Sequence, residues 1–154
     1  MLIVIDGISG SGKTTLANQL GALLQVPVLH MDNWYPGWNG LAAGSMIAAE
    51  IAAGRRSYYE EWDWARNNLG PKVHIDSSQG LIIEGCGAIT PESVGHANLA
   101  IWLDADPELA WQRAAAREGK DHMAWWEGWH RQEKIHWEIN HPRQLAHQII
   151  TVGA

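Results

Sequence analysis

One eight-residue segment near the start of the chain, Gly7 to Thr14, limits the fold more than any other feature. Its sequence, Gly-Ile-Ser-Gly-Ser-Gly-Lys-Thr, fits the pattern G-x-x-x-x-G-K-[ST] at every fixed position. The apolar, β-branched run Leu2–Ile5 comes before it and reads as a buried strand. The leucines that follow recur at helical spacing on one face: Leu16, Leu20, Leu23 and Leu24. A strand, a glycine-rich turn and a helix in this order predict a phosphate-binding loop.

The residue types of this segment fit the binding of a nucleoside triphosphate. Glycines let the backbone curl so that successive N–H groups point at phosphate oxygens, and the helix start adds a positive dipole end. We expect Lys13 to reach the β- and γ-phosphates and the Thr14 hydroxyl to bind Mg²⁺. The expected contacts to ATP come from eight residues: Gly7, Ser9, Gly10, Ser11, Gly12, Lys13, Thr14 and Thr15.

The rest of the chain alternates between strand-like and helix-like segments. Further strands are predicted at Val28–Leu29, Leu81–Glu84, Leu99–Leu103 and Gln148–Val152. Helices are predicted at Ala42–Ala53, at Asp106–Glu118 with a capping Asp followed by Pro, and at Met123–Asn140. The polar and aromatic stretch Tyr58–Pro71 is interpreted as a short helix plus a loop. This order predicts an α/β fold of three layers, a parallel sheet with helices on both faces.

Length and composition narrow the class of protein. At 154 residues, 46% of them hydrophobic, the chain has the size of one domain. No apolar run reaches the roughly 20 residues of a membrane-spanning helix, no basic leader precedes Leu2, and Cys86 is the single cysteine. We therefore expect a cytoplasmic protein without a membrane partner, monomeric or homodimeric. A net charge of −6 argues against binding to nucleic acid.

Carboxylates stand at or just after the ends of the predicted strands: Asp6, Asp32, Glu84 and Asp104. In parallel sheets ligands bind beyond these ends. Phosphoryl transfer needs a carboxylate beside the acceptor hydroxyl, and Asp32 is placed for that role. A buried acid at Glu84 would be costly unless it faced a cation or a donor, so we expect it to support Mg²⁺.

Beyond the phosphate-binding loop, the sequence resembles the P-loop small-molecule kinases and most closely their uridine kinase-like branch. Met31–Tyr35 is similar to the D-x-[FW]-Y motif of that branch, and the resemblance implies that Asp32 is the base for the acceptor hydroxyl. Ile82–Gly85 is similar to the hydrophobic-Glu-Gly strand end, which implies a role for Glu84 in the Mg²⁺ shell. More loosely, Trp62–Trp64 resembles a segment whose acid contacts the acceptor sugar, a role that would fall to Asp63.

Two arginines, Arg113 and Arg117, are four residues apart and share one face of a predicted helix. They resemble the basic lid region of these kinases, and we expect a lid around residues 113–137 that brings them to the migrating phosphoryl group. Trp34, Tyr35 and Trp38 surround Asp32 in the sequence, and a flat-walled pocket for the acceptor is expected there, above all from Trp34 and Tyr35, although core packing explains an average Trp equally well.

The predicted function is transfer of the γ-phosphoryl group of ATP to a hydroxyl of a nucleoside-like small molecule. The acceptor could instead be a nucleotide, a shikimate-like acid or a sugar acid, and Arg55, Arg56 and Arg66 lie in the segment that would bind such an anion. A third alternative is a switch or adaptor that binds ATP without catalysing transfer. No Asn/Thr-Lys-x-Asp guanine motif is present, which argues against a GTPase.

Overall fold

A computed structural model describes residues 1–153 of the chain. Its strands, in chain order, are β1 (Leu2–Gly7), β2 (Val28–His30), β3 (Tyr58–Asp63), β4 (Asn68–His74), β5 (Leu81–Glu84), β6 (Leu99–Asp104) and β7 (Gln148–Thr151). Its helices are α1 (Lys13–Leu24), α2 (Leu41–Ala52), α3 (Pro91–His96), α4 (Pro107–Glu118), α5 (Trp126–Asn140) and α6 (Pro142–Leu145). Short 3₁₀ turns cover Met31–Asn33 and Lys120–His122.

The central sheet has five strands in the order β2-β5-β1-β6-β7, and every neighbouring pair is parallel. Val4 of β1 lies opposite Ile83 of β5 on one side and Ala100 of β6 on the other. All four residues of β5 are buried, as expected for a strand that is covered on both faces. The α/β prediction and all five predicted strands of this sheet are confirmed.

Two apolar cores cover the two faces of the sheet and make the fold three-layered. One core joins Ile3, Ile5 and Ile82 to Ala17 of α1. The other joins the opposite faces of β1, β5 and β6 to α2 and α5, with Leu41, Ala48, Ile51 and Trp129 among its residues. The backbone of α2 packs closely against Tyr35, because a Cβ at Gly44 would overlap the ring of that tyrosine.

The predicted helix start at Asp106 is confirmed in detail. Its side chain accepts a hydrogen bond from the backbone N–H of Leu109 at 3.3 Å, and Pro107 occupies the first helical position. The helix ends at Glu118, before Gly119, which has a positive φ of 89°. No helix within residues 1–153 is both long and apolar enough to cross a bilayer.

The interpretation of Tyr58–Pro71 as a short helix plus loop is wrong, because the segment forms an antiparallel hairpin of β3 and β4. Aromatic and β-branched side chains favour this pairing: Tyr59 is buried and lies opposite Val73. A shift of register between Glu60 and Trp62 breaks the strict alternation that would have indicated a strand. Asn67, with a left-handed φ of 55°, completes the turn.

Candidate functional site

The phosphate-binding loop connects β1 to α1, as its motif predicts. Gly10 and Gly12 have positive φ values of 85° and 98°, which a residue with a side chain would rarely adopt. The carbonyl of Ile8 accepts hydrogen bonds from the backbone N–H of Ser11 at 3.1 Å and from Nζ of Lys13 at 2.9 Å. The loop therefore curls around its own lysine.

A cleft of about 280 Å³ opens above this loop. It brings together residues from the loop, from three other segments and from α4: Ser9, Gly10, Gly12, Lys13, Thr14, Thr15, Asp32, Glu84, Gly85, Cys86, Arg113, Arg117 and Trp129. Asp32, Glu84, Arg113 and Arg117, selected from separate parts of the sequence, thus all line the same cleft. Together with Lys13, the two arginines give it a cationic lining suited to phosphate groups.

Lys13 is buried at the floor of the cleft, with 7% of its surface exposed. Burial opposes the charged form of an amine, but the acidic groups around the lysine outweigh this effect and raise its pKa. Those groups are Cys86, Glu84, Glu133 and Asp6. Lys13 therefore stays protonated and available to a phosphate.

Glu84 ends β5 beside the start of α1. Its Oε1 accepts a hydrogen bond from the Thr14 hydroxyl at 3.0 Å and lies 2.7 Å from Nδ1 of His30. The hydrogen bond to Glu84 raises the pKa of His30. A hydroxyl and a carboxylate side by side are oxygen ligands of the kind Mg²⁺ prefers, so the pair fits a cation next to the phosphates. No cluster of three or more His, Cys, Asp or Glu that could hold a metal occurs within residues 1–153.

Asp32 lies in the 3₁₀ turn that follows β2. Its side chain is exposed to the open cleft, yet protein atoms surround it closely enough to raise its pKa by burial. The negative charge of Glu84 acts in the same direction, whereas Lys13 and Arg117 act against it. The backbone carbonyl of Asp32 accepts a hydrogen bond from the indole N–H of Trp64 at 2.9 Å.

A second cavity, of about 400 Å³, adjoins the cleft and shares Ser9, Asp32, Arg117 and Trp129 with it. We call it the tryptophan cavity, because its lining includes four indoles. The full lining is Ser9, Asp32, Asn33, Tyr35, Trp38, Trp64, Arg117, Glu118, Trp125 and Trp129. Trp38 stands among the other three, with ring centroids 4.9 Å from Trp64, 5.2 Å from Trp125 and 6.3 Å from Trp129.

The residues expected to bind an acceptor have different surroundings. Tyr35 lines the tryptophan cavity and donates its hydroxyl proton to the carbonyl of Cys86 at 2.7 Å. Trp34 is a core residue with 2% exposure, and its indole N–H is bonded to the carbonyl of Gly44. Asp63 lies outside both cavities, at the end of β3, where it accepts a hydrogen bond from the backbone N–H of Arg66.

The structure also contains a buried polar network that the sequence did not reveal. The carboxylate of Asp6 accepts hydrogen bonds from the backbone N–H groups of Gly7, Gly87 and Ile89. Nε2 of His136, on α5, lies 3.0 Å from the same carboxylate. Asp6 and His136 are 130 positions apart in the sequence, so no local pattern could indicate that they form a pair.

A comparison with known families finds that residues 3–138 match the family described as AAA domain. Among curated proteins, a cytidylate kinase from Archaeoglobus fulgidus is 31% identical over 79% of this chain, and a shikimate kinase from Symbiobacterium thermophilum is 31% identical over 74%. The matches span 64% and 63% of those two relatives, less than two thirds of their length.

Among solved structures, one described as a possible uridine kinase from Bacillus stearothermophilus superposes with a TM-score of 0.63. The match covers 97% of this chain and 88% of that chain at 22% sequence identity. At that identity the likeness concerns the fold alone. The chain therefore belongs to the AAA-domain family, and its fold is that of the P-loop small-molecule kinases.

Proposed function

We propose that the protein transfers the terminal phosphoryl group of ATP to a hydroxyl group of a small molecule. The observation that carries this proposal is the position of Asp32, which lines both the phosphate cleft and the tryptophan cavity. A base at such a junction can reach an acceptor on one side and the γ-phosphate on the other. The kinase names of the two curated relatives support the same reaction class.

In the proposed reaction, Asp32 accepts the proton of the acceptor hydroxyl as its oxygen attacks the γ-phosphorus. A new P–O bond forms, the bond to the bridging β–γ oxygen breaks, and ADP leaves. Lys13 and the loop N–H groups hold the phosphates in place. Arg113 and Arg117 neutralise the charge that spreads over the migrating group. A carboxylate whose pKa is raised by burial is a better proton acceptor than an ordinary one.

Thr14 and Glu84 would hold the Mg²⁺ that accompanies ATP, because their oxygens are adjacent at the edge of the phosphate cleft. When bound, Mg²⁺ neutralises charge on the phosphate oxygens. Nδ1 of His30 lies 2.7 Å from the same Oε1 of Glu84 that Thr14 contacts, and this second contact helps to fix the orientation of the carboxylate. Two protein ligands are enough for this ion, which usually keeps water and phosphate oxygens as its other ligands.

The acceptor that best suits the tryptophan cavity is a neutral molecule with a flat face, such as a nucleoside. Indole rings offer broad apolar surfaces on which a planar ring packs. An anionic acceptor, such as the cytidylate or shikimate in the relatives' names, would need a cationic partner besides Arg117, which lines the cavity and pairs with Glu118. The three arginines considered for that role are engaged elsewhere: Arg55 pairs with Glu92, Arg56 with Glu50, and Arg66 lies in the hairpin turn.

The test is a screen for acceptor-dependent ATP consumption over four classes of compound: nucleosides, nucleoside monophosphates, sugars and hydroxy acids. We expect turnover with a neutral ring-containing alcohol and its loss in Asp32→Asn. Turnover confined to monophosphates or hydroxy acids would refute the neutral acceptor but leave the kinase reaction intact. Tight ATP binding without turnover on any class would favour an adaptor instead.

A further inference from the structure

Glu133 of α5 is a buried carboxylate to which the proposed transfer gives no role. It is 1% exposed, and its side chain contacts the phosphate-binding loop. Its Oε2 accepts a hydrogen bond from the backbone N–H of Ser9 at 2.8 Å and lies 3.4 Å from the thiol sulfur of Cys86. Its Oε1 lies 3.3 Å from Nδ1 of His130. A residue 124 positions from the loop thus binds its backbone directly.

A carboxylate in this place is costly. Burying a charge requires hydrogen-bonded or ionic partners, and here the charge lies near a cleft suited to phosphates of the same sign. If this position only had to fill space in the core, an apolar side chain would be sufficient. The position is explained if the loop needs an acceptor for the Ser9 N–H, because no backbone carbonyl within residues 1–153 accepts a hydrogen bond from it.

The loop is held from a second side by α4. A Cβ at Gly10 would overlap the carbonyl of Ala110, so the loop backbone rests directly on that helix. Ser9 and Gly10 are therefore fixed by two different helices, α5 through Glu133 and α4 through Ala110. A loop held in this way keeps its N–H groups oriented before the ligand arrives, which reduces the ordering cost of binding.

We propose that Glu133 is a positioning residue of the phosphate-binding loop, which sets the conformation of Ser9 for the binding of Mg·ATP. This inference rests on the proposed function only in taking Mg·ATP as the ligand of the loop. Glu133 acts through the backbone of Ser9 and does not line the cleft. Its charge also helps to keep the buried Lys13 protonated, because it contributes to the raised pKa of that lysine.

The experiment compares Glu133→Ala, Glu133→Gln and the control Glu138→Ala, which alters an exposed glutamate of the same helix. Calorimetric titration with Mg·ATP is done at a temperature where circular dichroism shows each variant folded. Hydrogen bonds to charged groups are strong, so Glu133→Ala should weaken binding by about tenfold or more. Glu133→Gln retains an acceptor and should recover most of that loss. Glu138→Ala should bind as the unmodified protein does.

The amide resonance of Ser9 in ¹⁵N-labelled protein reports the contact without any nucleotide. We expect it to shift in Glu133→Gln, where a neutral oxygen replaces a carboxylate, and to lose its protection from exchange in Glu133→Ala. If Glu133→Ala does not fold, an unmoved Ser9 resonance in Glu133→Gln overturns the proposal. Unchanged affinity in a folded Glu133→Ala also overturns it. Failure of the unmodified protein to bind Mg·ATP would count against the proposed function, and the Ser9 resonance would still decide the contact.

Discussion

Replacing Asp32 with Asn tests the proposed chemistry most directly. The amide keeps the shape of the carboxylate but cannot take up the acceptor's proton. General-base contributions are about 10²- to 10⁴-fold, equivalent to about 3 to 5 kcal/mol of activation free energy. No side-chain hydrogen bond or ion pair involves the Asp32 carboxylate within residues 1–153. The substitution therefore breaks no hydrogen bond or ion pair, and the loss should appear in the rate of transfer.

The raised pKa of Asp32 gives the same variant a pH signature. A carboxyl group whose pKa is higher in the folded than in the unfolded state favours folding when protonated, and this contribution is lost as the pH rises through the folded pKa. At neutral pH the ionised carboxylate is thus mildly unfavourable, and Asp32→Asn should melt at the same temperature as the unmodified protein or slightly higher. The transfer rate of the unmodified protein should fall as the pH drops through this pKa.

The assay is a single-turnover measurement at saturating ATP with an acceptor from the screen, over a range of pH, alongside calorimetry and thermal melting. Asp63→Asn is the matched control, because it makes the same chemical change outside both cavities. We expect it to leave the rate and the acceptor KM unchanged. Nearly full activity in Asp32→Asn would refute the assignment of Asp32 as the base. The same conclusion would follow if the transfer rate of this variant still fell at low pH as it does in the unmodified protein.

Other substitutions test the remaining parts of the site. Lys13→Ala should abolish tight Mg·ATP binding in a folded protein, and unchanged affinity by calorimetry would contradict the role of the loop. Trp38→Ala removes the central indole of the tryptophan cavity and should raise the acceptor KM by about tenfold with little change in the affinity for ATP; equal KM values would place the acceptor elsewhere. Residues 110–135 should gain protection from hydrogen exchange when a non-hydrolysable ATP analogue binds, as a closing lid requires, and equal protection in both states would argue against a lid.

The sequence was sufficient for the sheet because its signals are local. Each buried strand is a short apolar run, and the start of α4 is indicated by three consecutive residues, Asp106 to Glu108. The hairpin escaped prediction because its register shift between Glu60 and Trp62 interrupts the two-residue period. Val73, the β-branched residue that pairs with Tyr59, lies beyond Pro71, the end of the predicted helix and loop.

The candidate site could be predicted in part for the same reason. Asp32 follows β2 and Glu84 ends the neighbouring strand β5, so the topology alone brings them together at one edge of the sheet. Glu133 and His136 could not be identified, because on a helix dense in aromatic residues their spacing of three indicates only a shared face. Their partners, Ser9 and Asp6, are more than 120 residues away. Trp34 is the opposite case: its position in the motif predicts a pocket residue, whereas its burial places it in the core.

The hairpin offers a route to altered selectivity. Its two strands form a sheet of their own and contribute no backbone pairing to the five-stranded sheet, while Trp64 at its tip forms part of the cavity wall. Residues in the turn can therefore be exchanged with little effect on the core that holds the phosphate-binding loop. A library restricted to residues 65–67 would vary the surroundings of Trp64, while its hydrogen bond to the carbonyl of Asp32 and the residues proposed for phosphoryl transfer stay in place. Such a separation lets one scaffold acquire new acceptors through changes in a few exposed positions.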